Sequence, residues 1–428
     1  MTGDKQTGAR ALQALIDGHF SQNLPQHLGV AVSGGSDSLA LLVLLHGMGA
    51  TDGPELHAVT VDHGLRKESA AEAKEVARIC AGLDVAHDTL NWTGWDGQGN
   101  LPDQARRARY RLMAGWAEEH DIKDIVIGHT ANDQAETFLM RLGREAGVDG
   151  LSAMAGAWQV GSTTFHRPLL QANREALRDI LRARGFEWVE DPSNDDAAYA
   201  RVRARQVLKT LAPLGISIGG LSSVAQHMRD VRRTLYTYVL QAAQDLVRLQ
   251  AGDLLIDMAG MNALPPEISR RLMQAALRWV SGADYAPRGR AMNSLMQAIA
   301  AGKDTSLSGC LILSAGDQLR VTREYNAVAG LRCDWDEPWD NRWVLMGPSA
   351  PEASLAALGK TGLRLCPNWR DSGLPVASLL ASPALWRGDE LLAASLVEAG
   401  QGWKCVLKYD LDHFFTTILS VDDVCMTH

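Results

Sequence analysis

Apolar and polar positions along this chain fall into two alternating rhythms. Residues 28–32 are small and apolar in the manner of a buried strand, and residues 39–45 form an unbroken apolar run suited to a buried helix. An amphipathic helix is expected before them, over residues 10–24. A second strand is expected over 56–61, ending at Asp62 and His63. The helix that follows starts at Ser69, which has capping-box spacing to Glu72, and turns Val76, Ile79, Cys80 and Leu83 to one side. Residues 86–90 read as a third strand and residues 92–100, with three glycines, as a loop. Pro102 suits the first turn of a helix reaching about His120. A fourth strand, 124–127, runs into Gly128, His129 and a helix continuing through Phe138, Leu139 and Leu142. Strands alternating with helices predict an α/β fold with a doubly wound parallel sheet.

Further along, residues 165–170 lead to a helix capped by Asn173, and residues 188–196 form a polar turn before Arg201, Arg203 and Arg205. Pro213, Gly215, Gly219 and Gly220 punctuate the chain. A long helical pattern over 222–250 carries Val224, Met228, Val231, Leu235, Val239 and Leu246, and a second covers 266–280. Residues 333–347, rich in tryptophan, proline and acid, read as a linker. The expected domains are 1–215, a helical middle domain over 216–332, and a small α+β C-terminal domain over 333–428.

Between the first strand and its helix lie Ser33, Gly34, Gly35, Ser36, Asp37 and Ser38. Glycine lets backbone approach a ligand closely, and a helix N-terminus presents unpaired N–H groups to an anion, so a phosphate chain is the natural ligand. A Walker loop is excluded because no lysine follows the glycines, and a dinucleotide fingerprint because Ser38 stands at the third glycine position. In doubly wound sheets ligands bind where the strand order reverses. With the order 3-2-1-4-5, this loop faces residues 129–136 across one crevice. Asp133 and Glu136, three apart on a helix, share a face and converge on Asp37. Three carboxylates beside a polyphosphate call for a cation, which implies Mg²⁺.

Composition narrows the class. The chain has 428 residues, 46% hydrophobic and 21% charged, so two or three globular domains are expected. No apolar stretch reaches a membrane span, the N-terminus does not read as a signal peptide, and a cytoplasmic protein is expected. The six cysteines are scattered without CxxC spacing, which argues against a zinc site, an iron–sulfur site or a disulfide framework. The net charge of −8 does not advertise a polyanion partner, but local arginine clusters do occur. They lie at Arg106, Arg107, Arg109 and Arg111; at Arg174, Arg178, Arg182 and Arg184; at Arg201, Arg203 and Arg205; and at Arg229, Arg232 and Arg233. Each taken singly reads as a solvated helix face.

The stretch Ser33 to Ser38 resembles the PP-loop of the ATP pyrophosphatases, which cleave ATP between the α- and β-phosphates. Further segments resemble the bacterial tRNA(Ile)-lysidine synthetases: residues 61–66, 106–110, 128–142, 150–154, 167–170 and 190–194. The resemblance covers about residues 28–215, and the length matches the longer form of that family. It implies activation of the wobble cytidine of an isoleucine tRNA with a CAU anticodon by ATP, then attack of the L-lysine ε-amine at C2. Ser33, Gly34, Gly35, Ser36 and Ser38 would cradle the pyrophosphate, with Asp37 as the Mg²⁺ ligand. Asp62, His63 and His129 join the ATP site. Positions matching Arg109, Asp133 and Glu136 are where amino acid and activated base meet, with Arg201 beside them. Arg229, Arg232 and Arg233 are expected to contact tRNA phosphates, the C-terminal domain to recognise the acceptor stem, and a homodimer is allowed. The nearest alternative is a PP-loop base thiolase. An amidotransferase-type ligase would need a glutaminase signature, and an ATP-binding sensor would not need the acidic residues. Two positions depart from the family pattern. Asn132 replaces an aspartate, and an Arg-Gly-Ser-Gly turn is Arg144-Glu145-Ala146-Gly147 here.

Overall fold

Six strands form the sheet that organises the N-terminal half of the computed structural model, which describes residues 2–21, 24–48, 53–65, 68–93, 95, 100–190, 199–283, 287, 289–397 and 402–419. Helix α1 (Thr2–His19) precedes β1 (His27–Ala31), α2 (Ser36–Met48), β2 (Glu55–Asp62), α3 (Ser69–Gly82), β3 (Ala86–Asn91), α4 (Leu101–Glu119), β4 (Asp124–Ile127) and α5 (Ala131–Leu142). Then come α6 (Val148–Leu151), the hairpin β5 (Ala157–Val160) and β6 (Thr163–His166), α7 (Arg174–Arg184), α8 (Ala200–Leu211) and α9 (Ile218–Leu246). The sheet order is β3-β2-β1-β4-β6-β5. All neighbours run parallel except the β5–β6 edge pair. The order therefore reverses between β1 and β4, as expected; the strand next to β4 is the returning arm of a hairpin.

Residues 39–45 of α2 are buried all round, which explains a helix with no polar face: the sheet covers one side, and α1 and α7 pack in the same core. A second core on the other sheet face joins Tyr110, Met113 and Trp116 of α4 to Ile125, Trp158 and Phe165. Gly128, just past β4, fixes the spacing of the crevice. A Cβ there would lie 2.7 Å from the Asp37 carbonyl oxygen and 2.8 Å from Ser38 Cα, so only glycine lets the two chain segments touch.

Several local expectations change. Ser69 does not cap α3: the N-cap is Glu68, without a side-chain cap bond, and the Ser69 hydroxyl bonds Asp62 instead. The long helix α9 stops at Leu246 because residues 247–250 form a strand. Its buried face is Ser222, Ala225, Val239, Ala242 and Ala243, while Val224 and Val231 are exposed. The small side chains, one helical position away, permit closer packing than the valines would.

The chain divides into two compact units, Met1–Arg232 and Arg233–Val421. The division falls inside α9 rather than at the glycines before it, because Ala225 and Leu221 pack with Phe138 and Ala153 of the first unit. The second unit contains the expected helices together with a sheet that the helical reading did not include. Its elements are β7 (Val247–Gln250), β8 (Asp253–Asp257), α10 (Met258–Ala263), α11 (Pro266–Ser281), α12 (Gly289–Ala300), β9 (Thr305–Leu307), β10 (Cys310–Ala315), β11 (Gln318–Arg323) and α13 (Tyr325–Val328). They continue with β12 (Arg332–Asp334), β13 (Trp343–Met346), β14 (Ser354–Ala357), α14 (Gly359–Leu365), α15 (Val376–Leu380), β15 (Pro383–Arg387), β16 (Glu390–Ala393), β17 (Lys404–Leu407) and α16 (Leu411–Leu419). The sheets are β7-β8-β11-β10-β9, β12-β14-β15-β16 and β13-β17, all antiparallel. Residues 333–347 are not a linker, since Trp339 and Trp343 are buried in a core with Leu355 and Leu385. Asp253 accepts hydrogen bonds from Arg320 and Ser378, tying the first of these sheets to α15. No single described helix is long and apolar enough to cross a membrane.

Glu145 has φ +57°, at the position where the resembling family has glycine. A side-chain residue in that left-handed region costs roughly 1–2 kcal/mol, offset in part by the flexibility glycine adds to the unfolded chain. Glu145→Gly should therefore stabilise the first unit by about 0.5–1 kcal/mol in urea unfolding. An unchanged or lowered midpoint would show the turn to be unstrained.

Candidate active site

The loop between β1 and α2 is shaped by its own hydroxyls. Ser38 Oγ accepts from the Ser33 N–H at 3.1 Å and donates to the Gly35 carbonyl, while the Ser33 and Ser38 hydroxyls lie 3.2 Å apart. Gly34 takes φ +82°, and its carbonyl accepts from the Val189 N–H. The result is a tight turn that delivers Ser36, Asp37 and Ser38 to the first turn of α2, an anion-binding geometry. This turn opens into a cavity of about 990 Å³, also lined by Arg109, His129, Asn132, Asp133, Glu136, Arg174 and Arg205. All of these lie in the first unit.

Asp37, Asp133 and Glu136 do converge, and the cation between them is an arginine. Arg174 Nε donates to Asp37 Oδ2 at 2.7 Å, Nη2 lies 3.2 Å from Asp133 Oδ2, and Nη1 lies 3.7 Å from Glu136 Oε1. Arg205 Nε donates to the same Glu136 oxygen at 2.7 Å. Arg174 belongs to a cluster that reads as a solvated helix face, but it opens α7, which packs against α2. Its own N–H donates to Asn132 Oδ1 at 3.0 Å. Asn132 thus serves α7 as a backbone acceptor, which an uncharged amide does as well as a carboxylate.

The three acids are held differently. Burial raises the Asp37 carboxyl against the pull of Arg174, with Asp133 adding to the rise. Burial and then the Asp133 charge raise Glu136, against Arg205 and Arg174. For Asp133 burial is outweighed: Arg174 and Arg201, with the Thr130 N–H, bring it down to about 2. The Thr130 N–H and hydroxyl both donate to Asp133 Oδ2, at 2.9 and 2.8 Å. Glu136 Oε2 is buried without a hydrogen-bond partner among the described residues. Such an atom is an acceptor waiting for a donor.

His129 closes the crevice at the end of β4. Arg167 Nε donates to its Nδ1 at 3.0 Å, and the same guanidinium lies 3.6 Å over the Trp158 ring and donates to the Ala155 carbonyl. Burial, then Arg167, holds the His129 imidazole far below its usual range, so it is neutral with its proton on Nε2. Arg167 itself is lowered to about 10 by burial. Two other motif segments are also positional. The Gln134 side chain brackets Met154 with a donor and an acceptor bond, and Arg141 Nη1 donates to the Gly150 and Ala153 carbonyls. Arg109 makes no ion pair with any described residue. Its charge is opposed first by burial and then by Arg106 and Arg201, although Tyr110 acts in its favour.

Not every expected residue reaches the cavity. The Asp62 carboxylate accepts from the Gly64 N–H at 2.8 Å and shapes a turn, and His63 packs edge-on against Trp92. Neither lines the cavity, nor do Gly34 and Arg201, although Arg201 lies close enough to lower His129 and Asp133. The expected tRNA arginines need a larger correction. Arg229 donates to the Ser152 and Met154 carbonyls and to Gln226, and Arg232 is buried. Only Arg233 of the three is exposed, because the face of α9 that holds the other two is the packed one. The turn at 191–194 lies outside the described residues.

The fold, the serine-glycine loop and the acidic crevice define a PP-loop protein, and residues 6–211 match the profile described as a PP-loop domain. A tRNA(Ile)-lysidine synthase of Ruegeria pomeroyi is 47% identical over 413 residues, covering 96% of this chain and 99% of its own. One from Hyphomonas neptunium is 37% identical, covering 71% and 83%. A U34-tRNA thiolase, NcsA of Methanococcus maripaludis, solved with its 4Fe–4S cluster, aligns at 13% identity and a TM-score of 0.46 over 53% of this chain and 80% of its own. The chain belongs to the tRNA(Ile)-lysidine synthase family.

Arg174→Met leaves buried Asp133 and Glu136 and half-buried Asp37 without their shared cation. Breaking a buried ion pair costs about 3–5 kcal/mol, so a loss of that size is expected in urea unfolding, with Arg174→Lys recovering part of it. A loss below about 1 kcal/mol would show that solvent screens the cluster. A second check uses pH. The Asp133 carboxyl sits below its unfolded value near 3.9, so its contribution is complete above that value and disappears as pH falls through about 2. Asp133→Asn should remove this part of the acid unfolding curve.

Proposed function

We propose that the chain ligates L-lysine to C2 of the wobble cytidine in the CAU anticodon of an isoleucine tRNA, forming lysidine and releasing AMP and pyrophosphate. Family membership supports this reading, and one observation carries it in the site. Glu136, whose buried Oε2 has no hydrogen-bond partner among the described residues, lines the same cavity as the phosphate-binding turn, beside a second carboxylate that stays ionised. An ammonium group satisfies that arrangement, and a carboxylate can take its proton before attack. A thiolase reading has less support, since no described cysteine lines the cavity.

Ser33, Gly35, Ser36 and Ser38 hold the phosphates of ATP. The carboxylate of Asp37 and the neighbouring hydroxyls are hard oxygen donors of the kind Mg²⁺ takes, so the residues fit that ion. When bound by Asp37, Mg²⁺ would neutralise charge on the departing pyrophosphate. Arg109, which lines the cavity, would face the anionic phosphate that joins AMP to the activated base, Arg201 would add positive charge from behind the lining, and neutral His129 offers a hydrogen bond without adding charge. Residues 216–332 and 333–428 would hold the body of the tRNA, the latter the acceptor stem. Since Arg229 and Arg232 are structural, reversing them should unfold α9's first turns rather than alter salt dependence alone. The site of action is the cytoplasm.

The deciding experiment is pyrophosphate release from ATP by the purified protein with tRNA and lysine, followed by base analysis of the tRNA. Asp37→Ala should lower that release by on the order of 10²–10³ with the fold intact. Near-normal turnover at saturating Mg²⁺ would remove Asp37 from the metal site. Glu136→Gln should slow lysine transfer to trapped adenylated tRNA more than it slows adenylation. An equal fall in both single-turnover rates would assign Glu136 to the ATP site instead.

A further inference from the structure

The end of the sheet remote from the phosphate-binding turn carries a second group of titratable side chains. His57 lies near the start of β2, Asp88 near the start of β3, and His120 at the C-cap of α4. On the parallel β2–β3 pair, Val59 registers with Asp88, which puts His57 and Asp88 on one face as diagonal neighbours. That face meets Trp116 of α4. One ring nitrogen of each histidine and one carboxylate oxygen all lie within 4.8 Å of one another. His57 Nε2 is 3.8 Å and His120 Nε2 is 3.5 Å from Asp88 Oδ2.

The surrounding hydrogen bonds orient these atoms. His120 Nδ1 lies 2.9 Å from the Trp116 carbonyl oxygen, which can only accept, so the Nδ1–H donates. In a neutral ring Nε2 is then a bare lone pair, and it faces the Asp88 carboxylate. Two acceptors at that distance need either a proton or a cation between them. The Trp116 indole N–H donates to Asp88 Oδ2 at 2.9 Å and fixes that carboxylate. A ligating histidine that gives its other N–H to a backbone carbonyl, and a ligating carboxylate held by a second donor, are the usual outer supports of a metal site.

We propose that His57, Asp88 and His120 form a binding site for a divalent transition-metal ion of the Zn²⁺ type. Zinc takes histidine nitrogen and carboxylate oxygen at about 2.0–2.2 Å, so ligands at tetrahedral angles stand about 3.3–3.5 Å apart. The two nitrogen–oxygen separations need to contract by only tenths of an ångström, and the two nitrogens, within 4.8 Å of each other, close by side-chain rotation. Two nitrogens and one oxygen select such an ion over Mg²⁺ or Ca²⁺, which prefer oxygen alone. The three side chains are each about a third or more exposed, leaving the remaining coordination positions to water. The residues are far apart in sequence, so no spacing motif announces them. The ion would pin the C-terminal end of α4 to β2 and β3. Arg109 lies about 16 Å back along the same helix, at the cavity.

The test uses the full chain, freed of metal by a chelator and titrated with Zn²⁺ in competition with a chromogenic chelator. One equivalent should bind, and His57→Ala, His120→Gln and Asp88→Asn should each weaken it at least tenfold. The thermal midpoint should rise with Zn²⁺ in the unmodified protein but not in His120→Gln, an exposed helix-end change whose fold is checked by circular dichroism. His166→Gln, which alters a separate histidine–aspartate contact with Asp124, should leave binding intact. Co²⁺ should give the absorption of a nitrogen- and oxygen-ligated site that His120→Gln abolishes. Equal Zn²⁺ affinity in the unmodified chain and all three variants would overturn the proposal. So would a chain that binds no Zn²⁺ while His120 is protonated in its NMR spectrum, since a proton then fills the gap.

Discussion

One guanidinium governs the crevice. Arg174 reaches Asp37 on α2 and both Asp133 and Glu136 on α5, while its backbone N–H is held by Asn132. Three carboxylates, two of them buried, would otherwise repel one another and drive up each other's proton affinity. With the arginine in place, the starts of α2, α5 and α7 can sit at one end of the sheet, and Gly128 can bring β4 against the phosphate-binding turn. Part of the site's negative charge is therefore balanced before any ligand arrives. An incoming cation or polyphosphate meets fixed dipoles and charges and need not assemble them, which is how such sites lower a barrier.

Much of this was legible in the sequence. Strand–helix alternation and the Ser33–Ser38 turn place the first four strands and the crevice, and the three-residue spacing of Asp133 and Glu136 puts them on one face. The cation was not legible. Residues 174, 178, 182 and 184 read as a row of arginines, and nothing local distinguishes the member packed toward α2 from those paired with Glu175 and Asp179 on the surface. Three acids beside a polyphosphate call for positive charge, and the protein supplies part of it itself.

The second unit was harder to read for a related reason. Short antiparallel strands such as β9 and β12 carry too few residues to show a period, and they are stabilised by cross-strand partners distant in sequence. Tryptophan beside proline and acid looks like a surface segment by composition, yet Trp339 and Trp343 fill a core. In α9 the heptad pattern holds at Val239, with Leu235 and Leu246 packed beside it, whereas in the first half Val224 and Val231 are exposed and the buried contacts belong to Ser222 and Ala225. Small residues are weak hydrophobic signals and strong packing signals.

His129 has one more consequence. Its Nδ1 lone pair is already occupied by the Arg167 N–H, and Arg167 is itself locked over Trp158, so the ring has no free basic nitrogen. It can lend a hydrogen bond but cannot carry a proton away. Among the carboxyl groups of the crevice, Asp37 and Glu136 are the two whose affinity for protons is raised, so the carboxylates rather than the imidazole are its basic groups. The arginine that silences the histidine thereby shapes the proton balance of the crevice from one layer behind it.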